Sequence, residues 1–419
     1  MSQRAELLVD VAAEVRDFYD RYPYPPPVES LDEYKQRWQD KQRQLADFHL
    51  FWPYRAYRDD HRILVAGCGT SQAAKHAVRW PRAQVVGIDC SATSVAHTKQ
   101  LKQKHDLGNL QVYQLAIEQI SDLGMTFDQI ICTGVLHHLE DPDAGLNSLR
   151  NVLNRDGAMQ LMVYAPYGRA GIYLLQEFCR HLGIHPTDPE IKDLLVALRA
   201  LPEGHALQTL LAQAPDFRAE AALADALLNP KDRAYSVPQL FDLIEGAGLR
   251  FGRWLRQAPY SVNCGVLARI PQVSRIARLP SKEQYAAIEL FRGTMARHSL
   301  VAYRDDCTTN LQLFNADWLN YIPIRLPDTM CIQDQSVQGR LPAGKVAVLL
   351  NRTHTYRDIL LLISAAEKRI FEAIDGRRSV SEILEQSTSS AIDLASARAF
   401  FEKLWSHDQV VFATPTLAA

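Results

Sequence analysis

The sequence predicts a protein of the α/β class, in which helices cover both faces of a parallel sheet, with a helical insertion and a smaller C-terminal α+β module. Short β-branched runs alternate with amphipathic stretches between residues 62 and 164, which is typical of strand–helix–strand units. The first run ends in the turn Gly67-Cys68-Gly69. Three helical stretches and a short strand follow one another between residues 365 and 412, and they define the smaller module.

The length and composition of the chain exclude several classes of protein. Its 419 residues exceed one ordinary domain, so we expect two or three. A hydrophobic fraction of 47% and a net charge of −2 predict a buried core and weigh against a nucleic-acid or membrane partner. The seven cysteines form no C-x-x-C pair, which favours reduced thiols over disulfides or zinc. Because no apolar segment approaches the ~20 residues that span a bilayer, and no leader segment is visible, we expect a cytoplasmic protein.

Residues 1–50 are expected to form an N-terminal helical and aromatic strap. Apolar residues recur at helical spacing from Glu6 to Tyr19, and an aromatic and proline run at 18–27 ends this helix because proline lacks an N–H. Two interpretations of the run stay open. Its tyrosines form a lid that excludes water from a site, or the run packs on the domain surface. The tyrosines concerned are Tyr19, Tyr22 and Tyr24.

A domain over residues 51–270 is expected to hold the sheet. The predicted strands lie at 62–66, 84–88, 110–115, 127–132 and 158–164, and the predicted helices between them at 71–79, 92–105 and 143–153. Residues 168–232 are rich in Ala and Leu and predict a helical insertion. A helix at 235–248 and strands at 249–255 and 261–270 are expected to complete the sheet.

The rest of the chain divides into a connecting region and a final module. Residues 271–355 mix aromatic residues with proline and aspartate, and they are expected to form a connecting α/β region whose fold stays open. Residues 356–419 predict a winged-helix-like module, because three helices precede a strand in that order. The predicted elements are helices at 365–375, 380–386 and 394–405 and a strand at 409–412.

The turn at Gly67 and Gly69 carries the strongest functional signal. Glycine permits a tight strand-to-helix turn and leaves the backbone open to a ligand. Asp89 ends the next predicted strand, about 20 residues further on, where a carboxylate suits two ribose hydroxyls. A nicotinamide-binding turn would have a third glycine where Gln72 stands. The pattern therefore favours a nucleoside without a pyrophosphate over a nicotinamide cofactor.

These motifs resemble a known family, the class I S-adenosylmethionine-dependent methyltransferases with a seven-stranded Rossmann-like sheet. The matching segments are 65–70, 86–91, 127–142 and 149–158, and we expect the likeness to extend to residue 270. The resemblance implies S-adenosyl-L-methionine as cofactor, with the glycine turn facing its methionine part and Asp89 its ribose. It also implies that further residues bind the adenine or lie near the sulfonium, namely Cys90, Ala116, Ile117, Thr133 and Gly134.

Three departures from the family pattern leave a second function open. The family often has an acid where Val65 stands, a glycine where Ser71 stands and an aspartate where Leu115 stands. The first hypothesis is in-line methyl transfer to an acceptor, either a small metabolite or a peptide or protein. The alternative is a catalytically degenerate methyltransferase-like binding or scaffold protein. The atom methylated, the use of a general base and the oligomeric state stay open.

The candidate catalytic residues are His137, His138 and Tyr22. The two histidines follow the fourth predicted strand, at the edge where ligands bind in such folds; the alternative is that one packs and the other caps the next turn. We expect no metal, because adjacent histidines on an extended backbone point in opposite directions. The residues expected to line the acceptor site are Tyr19, Tyr24, Tyr164, Tyr167 and Arg169, with the arginine either holding an anionic group or simply exposed.

The C-terminal segment carries a second, weaker resemblance. Residues 367–384, EKRIFEAIDGRRSVSEIL, are similar to the winged-helix precursor-recognition domains of peptide-modifying systems. The resemblance covers about 365–412 and implies a peptide partner. A DNA-binding winged helix is disfavoured because Glu382 and Glu385 give the second helix no basic face. A structural or dimerising role stays open.

Overall fold

The computed structural model describes residues 13–213, 219–307, 313–333, 341–387 and 392–414. The expected start of the N-terminal helix, before residue 13, lies outside the described residues. The chain forms two compact units. The first contains the residues up to Gln36, Asp59–Gly252 and Glu289–Cys307, and the second contains Arg37–Arg58, Arg253–Ile288 and the described residues after Cys307. The expected domains, with boundaries at 50, 270 and 355, stay a prediction.

A seven-stranded sheet forms the centre of the first unit, in agreement with the predicted α/β class. The strands run in the order β3-β2-β1-β4-β5-β7-β6. Strands β1 to β5 pair in parallel, whereas β7 is antiparallel to β5. Their bounds are Arg62–Ala66 (β1), Gln84–Asp89 (β2), Leu110–Gln114 (β3), Phe127–Thr133 (β4), Leu153–Tyr164 (β5), Leu249–Trp254 (β6) and Arg297–Arg304 (β7).

The strand predicted at 261–270 is wrong. Those residues contain a 3₁₀ helix, Gly265–Arg269, and Gly265 has a φ of +65°, which is incompatible with extended backbone. The strand that enters the sheet beside β5 is β7, in which Leu300, Val301 and Ala302 are all fully buried. Its side chains are buried on both faces, so the apolar alternation that would reveal an edge strand is absent.

The helices that precede the two small sheets belong to both units, and those of the first unit cover the seven-stranded sheet and build the insertion. In chain order they are α1 (13–21), α2 (Asp32–Arg37), α3 (Lys41–Phe51), α4 (Gln72–Arg79), α5 (Ala92–Lys104), α6 (Pro142–Val152), α7 (Ala170–Leu182), α8 (Asp188–Arg199), α9 (Ala206–Gln213), α10 (Glu220–Leu228), α11 (Val237–Gly246), α12 (Val273–Ile276) and α13 (Ser281–Arg292). The 3₁₀ helices beside the sheet are Ile117–Leu123, Leu136–His138 and Tyr167–Arg169. Among the residues described, no helix is both long and apolar enough to cross a bilayer.

Helices α7 to α10 fill the stretch expected to be a helical insertion, and they share one core with α1. Phe18 and Tyr22 of α1 and the adjoining turn belong to this core. Its other buried members come from the insertion and are Ile172, Cys179, Ile191, Leu194, Leu207, Leu223, Ala224, Ala226 and Leu227. The start of the described chain is therefore held to the insertion by apolar burial.

The second unit contains two small sheets and three C-terminal helices. Strand β8 (Ile322–Arg325) pairs antiparallel with β12 (Val410–Ala413), while β9 (Thr329–Ile332), β10 (Ala347–Asn351) and β11 (Leu361–Ile363) form the other sheet. The helices are α14 (Ala365–Ala373), α15 (Val380–Ser387) and α16 (Leu394–Ser406). Three helices then a strand is the predicted order, and the partner of that strand, β8, precedes the helices.

Candidate active site

The glycine turn connects β1 to α4 in a conformation that requires glycine. Gly67 and Gly69 have φ values of +66° and +52°, a region that side chains with a Cβ avoid. A Cβ added at Gly67 would also overlap the side chain of Val135. Because Val135 follows β4, this contact joins the turn after β1 to the segment that carries the two histidines.

Asp89 lies at the end of β2 and closes the turn from the other side. Its Oδ2 accepts a hydrogen bond from the Gly69 N–H at 2.8 Å, and its Oδ1 accepts one from the Ser91 N–H at 2.9 Å. Burial raises the pKa of Asp89, and the two N–H donors oppose that rise. Each carboxylate oxygen keeps a lone pair for another donor, so the residue can also bind two hydroxyls.

The other residues expected at the cofactor lie at the same edge of the sheet. Cys90 follows β2, Ala116 and Ile117 follow β3, and Thr133 ends β4 with Gly134 after it. These strands are neighbours and parallel, so their carboxyl ends meet. Cys68 contributes only backbone to the turn, because its side chain is fully buried against Gly87.

The segment after α1 lies across the glycine turn. Thr70 Oγ1 donates to the carbonyl of Pro25 at 2.9 Å, and the backbone oxygen of Tyr24 faces Gly69. Asp20 Oδ1 accepts from Ser91 Oγ at 2.7 Å. Sequence reasoning missed Asp20, although an acid inside an aromatic and proline run was a visible signal. The expected strap therefore contacts both the turn and the loop after Asp89.

A group of rings lies at the ends of β4 and β5, and it contains five of the predicted residues. The ring centroids of His137 and Tyr164 are 3.9 Å apart, and the guanidinium carbon of Arg169 lies 3.5 Å from the Tyr164 ring centroid. The ring of His138 lies 5.9 Å from that of Tyr19. The structure thus brings together candidate catalytic residues and candidate lining residues.

A carboxylate from the insertion joins two of these rings. Asp225 accepts from Tyr19 Oη at 2.7 Å and from Tyr164 Oη at 3.2 Å. Asn229 Nδ2 donates both to Asp225 and to Tyr19 Oη. Burial, then the charge of Asp225, raises the pKa of both phenols well above 10, so they are neutral donors. Sequence reasoning missed Asp225, whose signal was a lone acid in an Ala- and Leu-rich helix.

Arg169 forms a buried ion pair, which corrects the expectation that it is exposed or holds an anionic group. Its Nη2 lies 2.8 Å from Asp232 Oδ2, and the two side chains are 5% and 3% exposed. Gln176 Nε2 donates to the same oxygen at 2.9 Å. Asp232 Oδ1 is buried and has no hydrogen-bond partner among the described residues. The charge of Arg169 is therefore already balanced.

His137 is fully buried, and neither ring nitrogen has a hydrogen-bond partner among the residues described. Burial, together with the nearby His138 and Arg169, holds the pKa of His137 well below 6.5. Its imidazole is consequently neutral near pH 7. His138 differs, because its Nδ1 is hydrogen-bonded to the carbonyl oxygen of Lys231. Both imidazoles therefore keep a nitrogen that can accept a proton, either ring nitrogen in His137 and Nε2 in His138.

Tyr22 and Tyr167 lie outside this group of rings. Tyr22 Oη donates to the carbonyl of Pro186 and to Asp188, both at 2.9 Å, so this candidate catalytic residue instead anchors α1 to the insertion. Tyr167 is 41% exposed and lines a cavity of about 620 Å³ with Leu174 and Leu290. Its sequence position after β5 is the one expected, but its side chain faces a different surface.

The residues at the glycine turn fit an adenosyl and methionine group. Ser71 Oγ is buried and has no hydrogen-bond partner among the described residues. This hydroxyl at the start of α4 can therefore form a hydrogen bond with a ligand. Asp89 offers two oxygens for ribose hydroxyls. The serine that departs from the family pattern thus supplies a hydrogen-bonding group where glycine would supply none.

Comparisons with known proteins agree with this geometry. The family model described as a methyltransferase domain matches residues 64–159. An uncharacterised protein of Synechococcus sp. is 31% identical over 252 residues, covering 58% of this chain and 59% of that protein. The ubiquinone biosynthesis O-methyltransferase of Glaesserella parasuis is 29% identical over 146 residues, covering 32% and 61%. The chain therefore spans about three fifths of the length of these two relatives.

Among solved structures, PKMT2 from Rickettsia typhi in complex with AdoHcy has a similar fold. The TM-score is 0.64 at 14% sequence identity, and the match covers 94% of this chain and 77% of that one. The strand order, the glycine turn with Asp89 and the family model all lead to the same assignment. Residues 64–159 therefore form a methyltransferase domain, and the described fold is similar to that of a protein solved in complex with AdoHcy.

Proposed function

We propose that this protein transfers a methyl group from S-adenosylmethionine to an acceptor that enters beside the ends of β4 and β5. The observation that carries the proposal is the contact of Gly67 with Val135, which joins the glycine turn to the buried ring of His137. When bound, S-adenosylmethionine supplies a methyl carbon that is already activated by the sulfonium. The residues of this chain then have to align the acceptor and exclude water.

On the cofactor side, we assign binding to backbone and a few side chains. Asp89 would accept the two ribose hydroxyls, and Ser71 would meet the polar part of the methionine. Ala116 and Ile117 would flank the adenine, while Thr133 and Gly134 would lie near the sulfonium. This assignment of roles is supported by the position of these six residues at the carboxyl ends of β1 to β4.

On the acceptor side, His137 is the proposed general base. It is neutral near pH 7, and both ring nitrogens lack a hydrogen-bond partner among the described residues, so it can accept a proton. The same burial that keeps it neutral lowers its pKa and makes it a weaker base than a free imidazole. Tyr164 positions it by ring contact at 3.9 Å. Orientation of this kind can supply about 7–11 kcal/mol towards a transfer step, so the packing of the rings matters as much as the base.

The C-terminal unit supports a peptide or protein as one class of acceptor. We propose that its three helices and strand act like a winged-helix recognition module. A cavity of about 790 Å³ within this unit is lined by Phe314 and Trp405 beside Arg398 and Glu402, which suits side chains of mixed polarity. Deleting residues 356–419 would test it: methylation of large acceptors should fall while methylation of small ones persists.

The alternative function is a degenerate methyltransferase-like binding or scaffold protein. The departures at Val65 and Leu115 favour it, since both are apolar where the family often has a carboxylate. Incubation of the purified protein with labelled S-adenosylmethionine and cell extract separates the two functions. Label in any extract component requires catalysis, whereas cofactor binding without any label favours the scaffold.

Calorimetry with S-adenosylhomocysteine tests the cofactor site directly. The Asp89→Ala variant should bind at least 100-fold more weakly than native protein, because charge-assisted hydrogen bonds contribute about 1.5–3 kcal/mol each. Asp122→Ala is the matched control, since this carboxylate is exposed and distant from the turn in sequence. Equal binding by both variants would contradict the assignment of Asp89.

A further inference from the structure

We infer that the methyl acceptor carries an amine that is positively charged in solution, and that Asp225 is the anionic group that receives it. The inference rests on the proposed function and deepens it by naming the chemical class of the acceptor. It is carried by three observations on the residues that the structure describes: a buried carboxylate that forms no ion pair with them, an arginine whose charge is already balanced, and a neutral buried histidine whose ring nitrogens have no partner among them.

Asp225 is a buried carboxylate whose partners are all neutral. Its side chain belongs to a residue that is 3% exposed, and its donors are Tyr19 Oη, Tyr164 Oη and Asn229 Nδ2. Among the residues that the structure describes, no basic side chain forms an ion pair with it. Burying a carboxylate is costly unless a cation compensates it. A bound ammonium group would supply that compensation.

The other charges nearby do not change this balance. Arg169 is paired with Asp232, which keeps Oδ1 unpartnered, and Lys231 Nζ is 2.9 Å from Glu140. The two cations are each matched by one carboxylate, and Asp225 remains as the additional negative charge. An acceptor with a carboxylate would therefore meet repulsion here, whereas an ammonium would meet attraction.

The rings beside Asp225 also suit a cation. Tyr19 and Tyr164 converge on the carboxylate through their hydroxyls, and His138 lies 5.8 Å from Tyr164 and 5.9 Å from Tyr19. Aromatic faces attract ammonium groups through the ring quadrupole. The Tyr164 ring already contacts the Arg169 guanidinium and the His137 ring, so the attraction that this group offers to an ammonium comes mainly from the Asp225 carboxylate.

His137 is the proton acceptor of this step, because an ammonium must lose a proton before its nitrogen can bond to the methyl carbon. One N–H bond of the acceptor breaks, and its proton moves to a free ring nitrogen of neutral His137. The lone pair left on the amine nitrogen forms a bond with the methyl carbon. The bond between that carbon and sulfur breaks, and its electron pair stays on sulfur. The methylated ammonium again carries one positive charge, which Asp225 balances.

Chemical blocking of amines in the acceptor pool tests the inference with native protein. Heat-treated cell extract is used untreated, or after acetylation of its amines followed by hydroxylamine to restore tyrosine hydroxyls. With labelled S-adenosylmethionine, we expect acetylation to reduce incorporation at least tenfold and the remaining products to withstand alkali. Unchanged incorporation, or label released as methanol by alkali, would overturn the inference. Ultrafiltration of the labelled pool then separates small amines from peptides and proteins.

The same experiment separates failure of the inference from failure of the proposed function. Incorporation that survives acetylation overturns the amine acceptor but keeps methyl transfer. No incorporation in either pool, with S-adenosylhomocysteine bound normally, overturns the proposed function and this inference with it.

An Asp225→Asn variant tests whether Asp225 binds the amine, because it removes the negative charge and keeps the shape of the side chain. The initial rate of labelling at limiting acceptor should fall at least tenfold, while S-adenosylhomocysteine affinity, which reports a folded cofactor site, stays within twofold of native. Asp193→Asn is the matched control, since that carboxylate is exposed in the same insertion, and it should label at the native rate. A native rate for Asp225→Asn would contradict the role of this residue.

Discussion

The cofactor side and the acceptor side of the site are built in different ways. The bond between Gly69 and Asp89 joins residues 20 apart in sequence, and it uses a backbone N–H at the ends of neighbouring strands. The bond between Tyr19 and Asp225 joins residues 206 apart, and it uses side chains from the strap and the insertion. One side therefore depends on local backbone geometry, and the other depends on long-range packing, so each can change without the other.

Removal of Asp232 should be the largest disturbance of the acceptor side. The Asp232→Ala variant leaves the guanidinium of Arg169 buried without a counter-charge, which should lower the free energy of unfolding by about 3–5 kcal/mol. Denaturant unfolding measures it. Glu177→Ala is the control, because its ion pair with Arg180 is exposed and should contribute about 0.2–1 kcal/mol. Similar losses for the two variants would mean that the acceptor side does not depend on buried charge.

An alanine at Gly67 should be the largest disturbance of the cofactor side. The left-handed backbone costs about 1–2 kcal/mol for a residue with a Cβ, and the overlap with Val135 adds about 1–3 kcal/mol. Gly124→Ala isolates the first cost, since Gly124 has a φ of +60° with open space around it. We expect Gly67→Ala to lose more stability than Gly124→Ala in denaturant unfolding and to weaken S-adenosylhomocysteine binding as well.

The independence of the cofactor side and the acceptor side would be contradicted if Gly67→Ala left cofactor binding intact but abolished the ring contacts of His137. That result would mean that Val135 transmits backbone changes to the acceptor side, and that the two sides are coupled. On the same variant, tyrosine fluorescence reports on the ring contacts, and calorimetry reports on cofactor binding.

The difference between the two sides also explains what the sequence could predict. The glycine turn and Asp89 were recognisable because strand length and spacing alone set their geometry. His137, Tyr164 and Arg169 were expected at the acceptor site because they lie at or after the ends of predicted strands. Asp225 was not found, because its partners lie far away in sequence and an acid in a helix is usually exposed. The strand β7 was missed because its side chains are buried on both faces, which removes the alternating pattern.

The smallest predicted effect concerns the pH dependence that His137 confers. Its pKa in the folded state lies well below the unfolded value of 6.5, mainly through burial. As the pH falls below 6.5, His137 binds a proton in the unfolded chain but not in the folded chain. The free energy of unfolding therefore decreases from its value above pH 6.5. The loss is about 1.4 kcal/mol per pH unit. In unfolding series between pH 7 and 5.5, His137→Gln should remove this slope.

His181→Gln is the control for that series, because the His181 side chain is 76% exposed and lies outside the buried group of rings. The other buried histidines remain in both variants, so the difference in slope belongs to His137 alone. An unchanged slope in His137→Gln would mean that this imidazole binds protons equally in the folded and unfolded states, and that burial does not lower its pKa.

The position of β7 between β5 and β6 has a consequence for synthesis of the chain. The ribosome completes β5 at Tyr164 and reaches β7 only at Arg297, so the hydrogen-bonding edge of β5 has to wait for a strand not yet made. At about 5–20 residues per second, the wait lasts for seconds. An open edge of this kind can pair with strands of other chains. The interval between these two strands is therefore when the nascent protein is most exposed to misassembly, and when a bound chaperone would help most.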